Sequence, residues 1–241
     1  MIWEYRHDDS FALREDLKML IFHGSEYIIE KPEYGKGSRF TDYGQGFYCT
    51  AHIELAKEWA CTNVHGGFAN KYTIDYTGLS IFDLNDDNYN ILNWLAILLE
   101  NRWYDTDMEI AKSSKEYILK HFLPEYKNAD IIKGYRADDS YYLFVSDFIN
   151  NVISIDQLAT AMHLGELGEQ IVIKSPKAFE RLEFAGYEIA QRDEYYRKRR
   201  QRDDKANAAY RAERESEADV AGSIYIMDII RRGWRNGDVR I

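Results

Sequence analysis

Two glycine-bracketed segments carry the residue types best suited to chemistry. Phe22-His23-Gly24-Ser25 closes a short apolar run. Gly44-Gln45-Gly46-Phe47-Tyr48-Cys49-Thr50 sets an aromatic pair between glycines and a helix-like run, Glu54 to Ala60, that contains Trp59. A glycine after a histidine lets backbone N–H and C=O approach a ligand closely. The histidine ring can hold a hydroxyl, and Tyr48 and Trp59 offer flat faces for stacking. Far downstream, Gly168-Glu169-Gln170-Ile171-Val172-Ile173 places an acid and an amide at the head of an apolar strand. A carboxylate there would stabilise a developing cation. Adjacent strand residues point to opposite faces, so only one of Glu169 and Gln170 faces a given cleft. If it is Gln170, the site lacks that charge. Each candidate also has a plainer role: His23 as a turn or core histidine, Tyr48 and Trp59 as core aromatics.

These residues need elements to position them. Met19 to Phe22 reads as a strand, Gly35 to Gly46 as a loop, and Phe47 to Thr50 as a second strand. Ile53 to Ala60 has helical spacing. Asn70 to Tyr76 and Leu79 to Asp83 read as strands, and Asn88 to Asn101 as a buried helix. Ala129 to Gly134 and Gln170 to Lys174 are further strands. Asp139 to Asn150 and Ile155 to Leu164 are amphipathic helices. Asp138 and Asp139 stand where a helix cap belongs. Near Tyr187 the composition changes. Gln191 to Glu217 mixes both charge signs with almost no aliphatics, so a long solvated helix is expected. Ser223 to Trp234 regains an apolar face that must pack on the domain or on a partner. The expected division is 1–188 for the main domain and 189–241 for a charged helical extension.

Composition narrows the classes. The chain has 241 residues, enough for one domain with an appendage, and a net charge of −10. That charge argues against binding nucleic acid through the bulk field. Two cysteines are too few for a disulfide framework. The N-terminal Met1 to Ser10 is polar, and the longest apolar run, Ile91 to Leu99, is too short to span a bilayer. A reducing, cytoplasmic setting without a membrane partner is expected. No Cys/His spacing suggests a metal, and Gly66-Gly67 is not followed by a phosphate-loop Lys-Ser/Thr.

The ordered set His23-Gly24-Ser25, Gly46-Phe47-Tyr48 and Glu169-Gln170 resembles the catalytic triad of ADP-ribosyltransferases of the diphtheria toxin and poly(ADP-ribose) polymerase type. The polymerase motif is similar to Gly-Lys-Gly-Ile-Tyr-Phe-Ala followed by a helix with a second aromatic. Tyr48 and Trp59 fall on its two aromatics. Together with Ala137-Asp138-Asp139 and the C-terminal Ile229-Ile230-Arg231 and Asp238-Val239-Arg240, the set also looks like a bacterial domain-of-unknown-function family grouped with these folds. The resemblance spans roughly residues 18 to 187. It implies an α+β fold, a split β-sandwich with flanking helices. It implies NAD as substrate, with His23 on the ribose, Tyr48 and Trp59 around the nicotinamide, and Glu169 or Gln170 at the oxocarbenium. Gly24, Ser25 and Gly46 would line the cofactor, and Arg39 and Arg136 could meet its pyrophosphate. A small antitoxin is the partner this family implies, and the acceptor is not named. The alternative function is a binding module that keeps the fold without catalysis.

Overall fold

The computed structural model describes residues 18–137, 141–163, 168–215 and 222–238. Asp138, Asp139 and the first ten residues, singled out above, lie outside them, as do Val239 and Arg240. The strands are β1 (Lys18–Ser25), β2 (Phe47–Cys49), β3 (Gly67–Asp75), β4 (Ile81–Asp83), β5 (Ile131–Tyr135), β6 (Glu169–Ile173) and β7 (Leu182–Ala190). The helices are α1 (Ile53–Ala60), α2 (Ile91–Asn101), α3 (Glu109–Phe122), α4 (Tyr141–Ile149), α5 (Ile155–His163), α6 (Pro176–Phe179), α7 (Arg192–Glu215) and α8 (Ile226–Arg232). The fold is α+β.

The strands form two small sheets, ordered β1-β3-β7 and β2-β6-β5-β4. All pairings are antiparallel except β4 with β5. Strand alternation sorts the side chains. Ile21, Tyr72 and Ile74 of the first sheet meet Cys49, Ile131, Ile171 and Ile173 of the second. The residues between them, Ile132 and Val172, turn the other way into a larger core under the helices. The two sheets touch where Phe22 and Thr50 exchange backbone hydrogen bonds of 2.8 and 2.9 Å. That bridge sets His23 beside Tyr48.

Local chemistry explains several boundaries. The Asn90 side chain accepts from Leu92 N–H at 2.9 Å while Asn93 reaches back to Asn90 N–H at 2.8 Å, so α2 starts at Ile91 rather than at Asn88. A Cβ on Gly24 would stand 2.1 Å from the Ala56 carbonyl oxygen and 2.9 Å from Trp59 Cβ. The room at Gly24 is therefore filled by α1, and the glycine's close approach is to a helix. Gly46 is similar, with a Cβ there falling 2.6 Å from Val172 Cγ1.

The C-terminal extension is stitched onto the domain. The α7 helix lies across α1, where Arg202 grips the buried Glu58 carboxylate with two bonds of 3.0 Å. Further along, Tyr210 packs on Phe144 and donates to Asp147 at 2.5 Å. The α8 helix buries Ile226 and Ile229 in the main core. Its flank is fixed by Ile155 N–H to Ile224 O at 2.8 Å and Tyr117 hydroxyl to Trp234 O at 2.9 Å. The apolar tail docks on its own chain.

Candidate functional site

His23 is held by geometry that fixes its tautomer. Its Nδ1 lies 2.7 Å from the Tyr48 carbonyl oxygen, which only accepts, so Nδ1 carries the proton. Nε2 then presents a lone pair. The ring stacks on Phe47 with centroids 4.2 Å apart. Burial pulls the His23 pKa below the ordinary imidazole value, which favours the neutral ring. His23, Gly46, Phe47 and Tyr48 line a pocket of about 550 Å³, walled opposite by Ile28, Ile29 and Pro32.

Tyr48 is a wall rather than a proton donor. Its hydroxyl donates to Gly44 O at 2.7 Å, accepts from Tyr43 N–H at 3.0 Å and touches Thr41 Oγ1 at 2.7 Å. Burial raises its pKa. The glycine-rich segment before β2 is thus closed on the phenol. Lys174 adds a second tie, donating to the carbonyls of Tyr43 at 2.7 Å and Gln45 at 2.6 Å. Partial burial brings the Lys174 pKa down to about 8.

A second cleft, about 260 Å³, is also lined by Tyr48. Trp59 and Gln170 line it with Asp42, Arg102, Arg136 and Arg199. Asp42 is only 1% exposed and organises the floor. Its Oδ2 accepts from Ala137 N–H at 2.8 Å and from Gln170 Nε2 at 3.0 Å. Its Oδ1 meets Arg102 Nε at 2.7 Å as a charge contact outside hydrogen-bond alignment. Burial outweighs these partners and pushes the Asp42 pKa up to about 6. The Arg136 guanidinium sits over the Trp59 ring, 4.7 Å from its centroid. Arg199 donates to Cys61 O at 3.4 Å. Two buried polar atoms here, Trp59 Nε1 and Gln170 Oε1, have no hydrogen-bond partner among the described residues.

The strand register separates Glu169 from Gln170. On β5, Gly134 faces Gln170 and Tyr135 faces Glu169. Gln170 shares the face of Val172 and Tyr48 and enters the Asp42 cleft. Glu169 takes the opposite face, where Asn85 Nδ2 donates to it and burial raises its pKa. Tyr48, Trp59 and Gln170 therefore come together, His23 lines the other pocket, which shares Tyr48, and Glu169 lines neither. Arg136 enters the cleft, whereas Arg39 is exposed and lines neither cavity. Ser25 Oγ accepts from Tyr27 N–H at 3.1 Å and serves its own turn.

The sequence reading missed Asp42, Arg102, Arg199 and Phe47. Asp42 stands in a polar, glycine-rich loop, and nothing in its spacing says the side chain turns inward. Phe47 was legible only as half of an aromatic pair. Among the described residues, no group of three His, Cys, Asp or Glu could hold a metal ion, and no helix is long and apolar enough to cross a membrane.

Fold and site together define an α+β protein whose two small sheets meet beside a pair of cavities sharing Tyr48. The chain belongs to the DUF3990 family, described as proteins of unknown function, whose model matches residues 19–184. No curated protein and no solved structure matches the chain.

Proposed function

We propose that this protein is an NAD-dependent ADP-ribosyltransferase. The observation that carries the proposal is the meeting of Tyr48, Trp59 and Gln170, distant in sequence, in one cleft beside His23. The transfer breaks the bond between nicotinamide and ribose through an oxocarbenium-like state, and it needs a flat pocket, a fixed ribose and negative charge nearby. Tyr48 and Trp59 supply the walls. A nicotinamide ring entering there takes the place of the Arg136 guanidinium on the indole. His23 Nε2 accepts from a ribose hydroxyl. Gln170 stands where a carboxylate would serve the cation, and the nearest buried negative charge is Asp42, joined to Gln170 Nε2. The acceptor, and a small antitoxin as regulator, are extensions of the same proposal.

A second function has one observation in its favour. Gln170 in place of an acid, with Glu169 turned to Asn85, suits a module that binds NAD or ADP-ribose without turning it over.

Calorimetry tests the pocket. Trp59→Leu is the cleaner substitution, because the Tyr48 hydroxyl also locks its loop. Loss of a stacking face is expected to weaken NAD binding by about fivefold to tenfold, on the order of 1 kcal/mol. Unchanged NAD affinity in a folded Trp59→Leu protein would remove the ring from this cleft.

A further inference from the structure

A third cavity, about 350 Å³, is lined by Gln45, Lys127, Lys174 and Ser175, with the rings of Tyr34 and Phe179 set edge to face 5.6 Å apart. His23, Tyr48, Trp59 and Gln170 all lie outside its lining. The chain carries more acid than base, yet no carboxylate among the described residues lines this space. Lys127 is already paired with Glu100. The backbone carbonyl of Asp130 accepts from Lys174 N–H, but the Asp130 carboxylate is taken up by Ser80 and Ser175. Lys174 differs from its neighbour. Its Nζ donates to Tyr43 O at 2.7 Å and Gln45 O at 2.6 Å, and it forms no ion pair among the described residues. Two acceptors match the two N–H bonds of a neutral amine and leave its lone pair free. An ammonium would bring a third N–H and a charge that no described carboxylate answers. Burial, unopposed by a neighbouring charge, is what draws the Lys174 pKa down to about 8. At pH 7.5 roughly a quarter of such amines are neutral, against roughly one in a thousand for an ordinary lysine.

We propose that Lys174 is a nucleophilic lysine, and that this cavity takes an aldehyde or ketone bearing a flat apolar group and holds it as an imine. The Nζ lone pair attacks the carbonyl carbon and a C–N bond forms. The carbonyl oxygen then leaves as water, carrying the two amine protons, and a C=N bond remains. No oxidant, reductant or further reactant is needed. Tyr34 and Phe179 supply ring surface for the flat group. The absence of a lining carboxylate also admits a negatively charged substituent. Imine formation strips Nζ of at least one N–H, so at least one of its ties to Tyr43 and Gln45 is given up. The inference does not depend on the transferase reading.

The test treats the full-length chain with para-carboxybenzaldehyde and cyanoborohydride, which fixes an imine as a secondary amine. Labelled lysines are read by peptide mass spectrometry, with the exposed Lys112 as internal reference. At pH 7.5 Lys174 is expected to label about tenfold or more faster than Lys112. Its rate should reach half its maximum near pH 8. In urea the two lysines should label alike, because the preference belongs to the fold. Acetaldehyde, which has no ring, should lose most of the preference. Lys174→Arg keeps donors for the two carbonyls and is expected to lose the fast label. The comparison of Lys174 with Lys112 in the wild type stands whether or not that variant folds. Labelling of Lys174 no faster than Lys112 in the folded chain, or a preference that survives urea, would overturn the proposal. Equal selectivity with acetaldehyde would overturn the placement of the flat group and support the nucleophilic lysine alone.

Discussion

A chain ending at Gln191 is expected to aggregate or to lose its cooperative unfolding transition. The cut removes α7 and α8, and with them Tyr210, Ile226 and Ile229 from the main core. Burial of each such side chain stabilises by about 1.5–3 kcal/mol, so the three together approach the whole stability of an ordinary domain, roughly 5–15 kcal/mol. The cut also takes Arg202 from Glu58, whose carboxylate is only 3% exposed and would be left without its partner. Size-exclusion chromatography and a urea titration of the shortened chain decide the matter. A monodisperse product with a sharp transition would mean that the extension is dispensable to the core.

Asp42→Ala is expected to destabilise the protein more at pH 4.5 than at pH 7.5. The sign follows from the raised pKa of about 6 against the ordinary 3.8. Folded Asp42 holds its proton more tightly than unfolded Asp42 does. Its contribution to stability is thus fully present below the ordinary carboxylate range and is lost as pH rises towards about 6. Each pH unit in that window is worth about 1.4 kcal/mol, so the cost of removing Asp42 grows by about 2–3 kcal/mol on acidification. At neutral pH the variant still loses the acceptor of Ala137 N–H and Gln170 Nε2 and the counter-charge of Arg102. Denaturant unfolding of both proteins across pH 4 to 8 measures the difference. A cost that shrinks in acid, as for a carboxylate stabilised mainly by its ion pair, would contradict the burial of Asp42 charge at the cleft floor.

Much of the scaffold was legible because periodicity reports burial. Met19 to Phe22, Phe47 to Thr50 and Ile53 to Ala60 each lie within a residue or a few of a strand or helix found there. Three elements escaped, the four-residue α6 among them. The α3 helix buries Ala111, Ser114, Ile118 and Phe122 at helical spacing, yet its stripe is thin and broken by a serine. The β7 strand alternates Leu182, Glu183 and Phe184, and the change in composition near Tyr187 falls inside it rather than at its end. Tyr48 and Trp59 stand out by their match to the two aromatics of the transferase motif that the sequence resembles, and both line the smaller cleft. Asp42, Arg102 and Arg199 do not stand out, because a loop, a helix end and a distant helix converge only in three dimensions. The facing of Glu169 against Gln170 needed the β5–β6 register, which a single strand sequence does not contain.

Release of free nicotinamide from NAD by the purified full-length chain, followed by proton NMR, tests the central claim most directly. Transfer of labelled ADP-ribose to the chain or to a lysate acceptor can be read in parallel. The wild type is expected to release nicotinamide, Gln170→Ala to release much less while remaining folded, and Glu169→Ala to match the wild type. A folded wild type that neither binds NAD nor releases nicotinamide would contradict the account, and one that binds NAD without releasing it would make the protein a binding module.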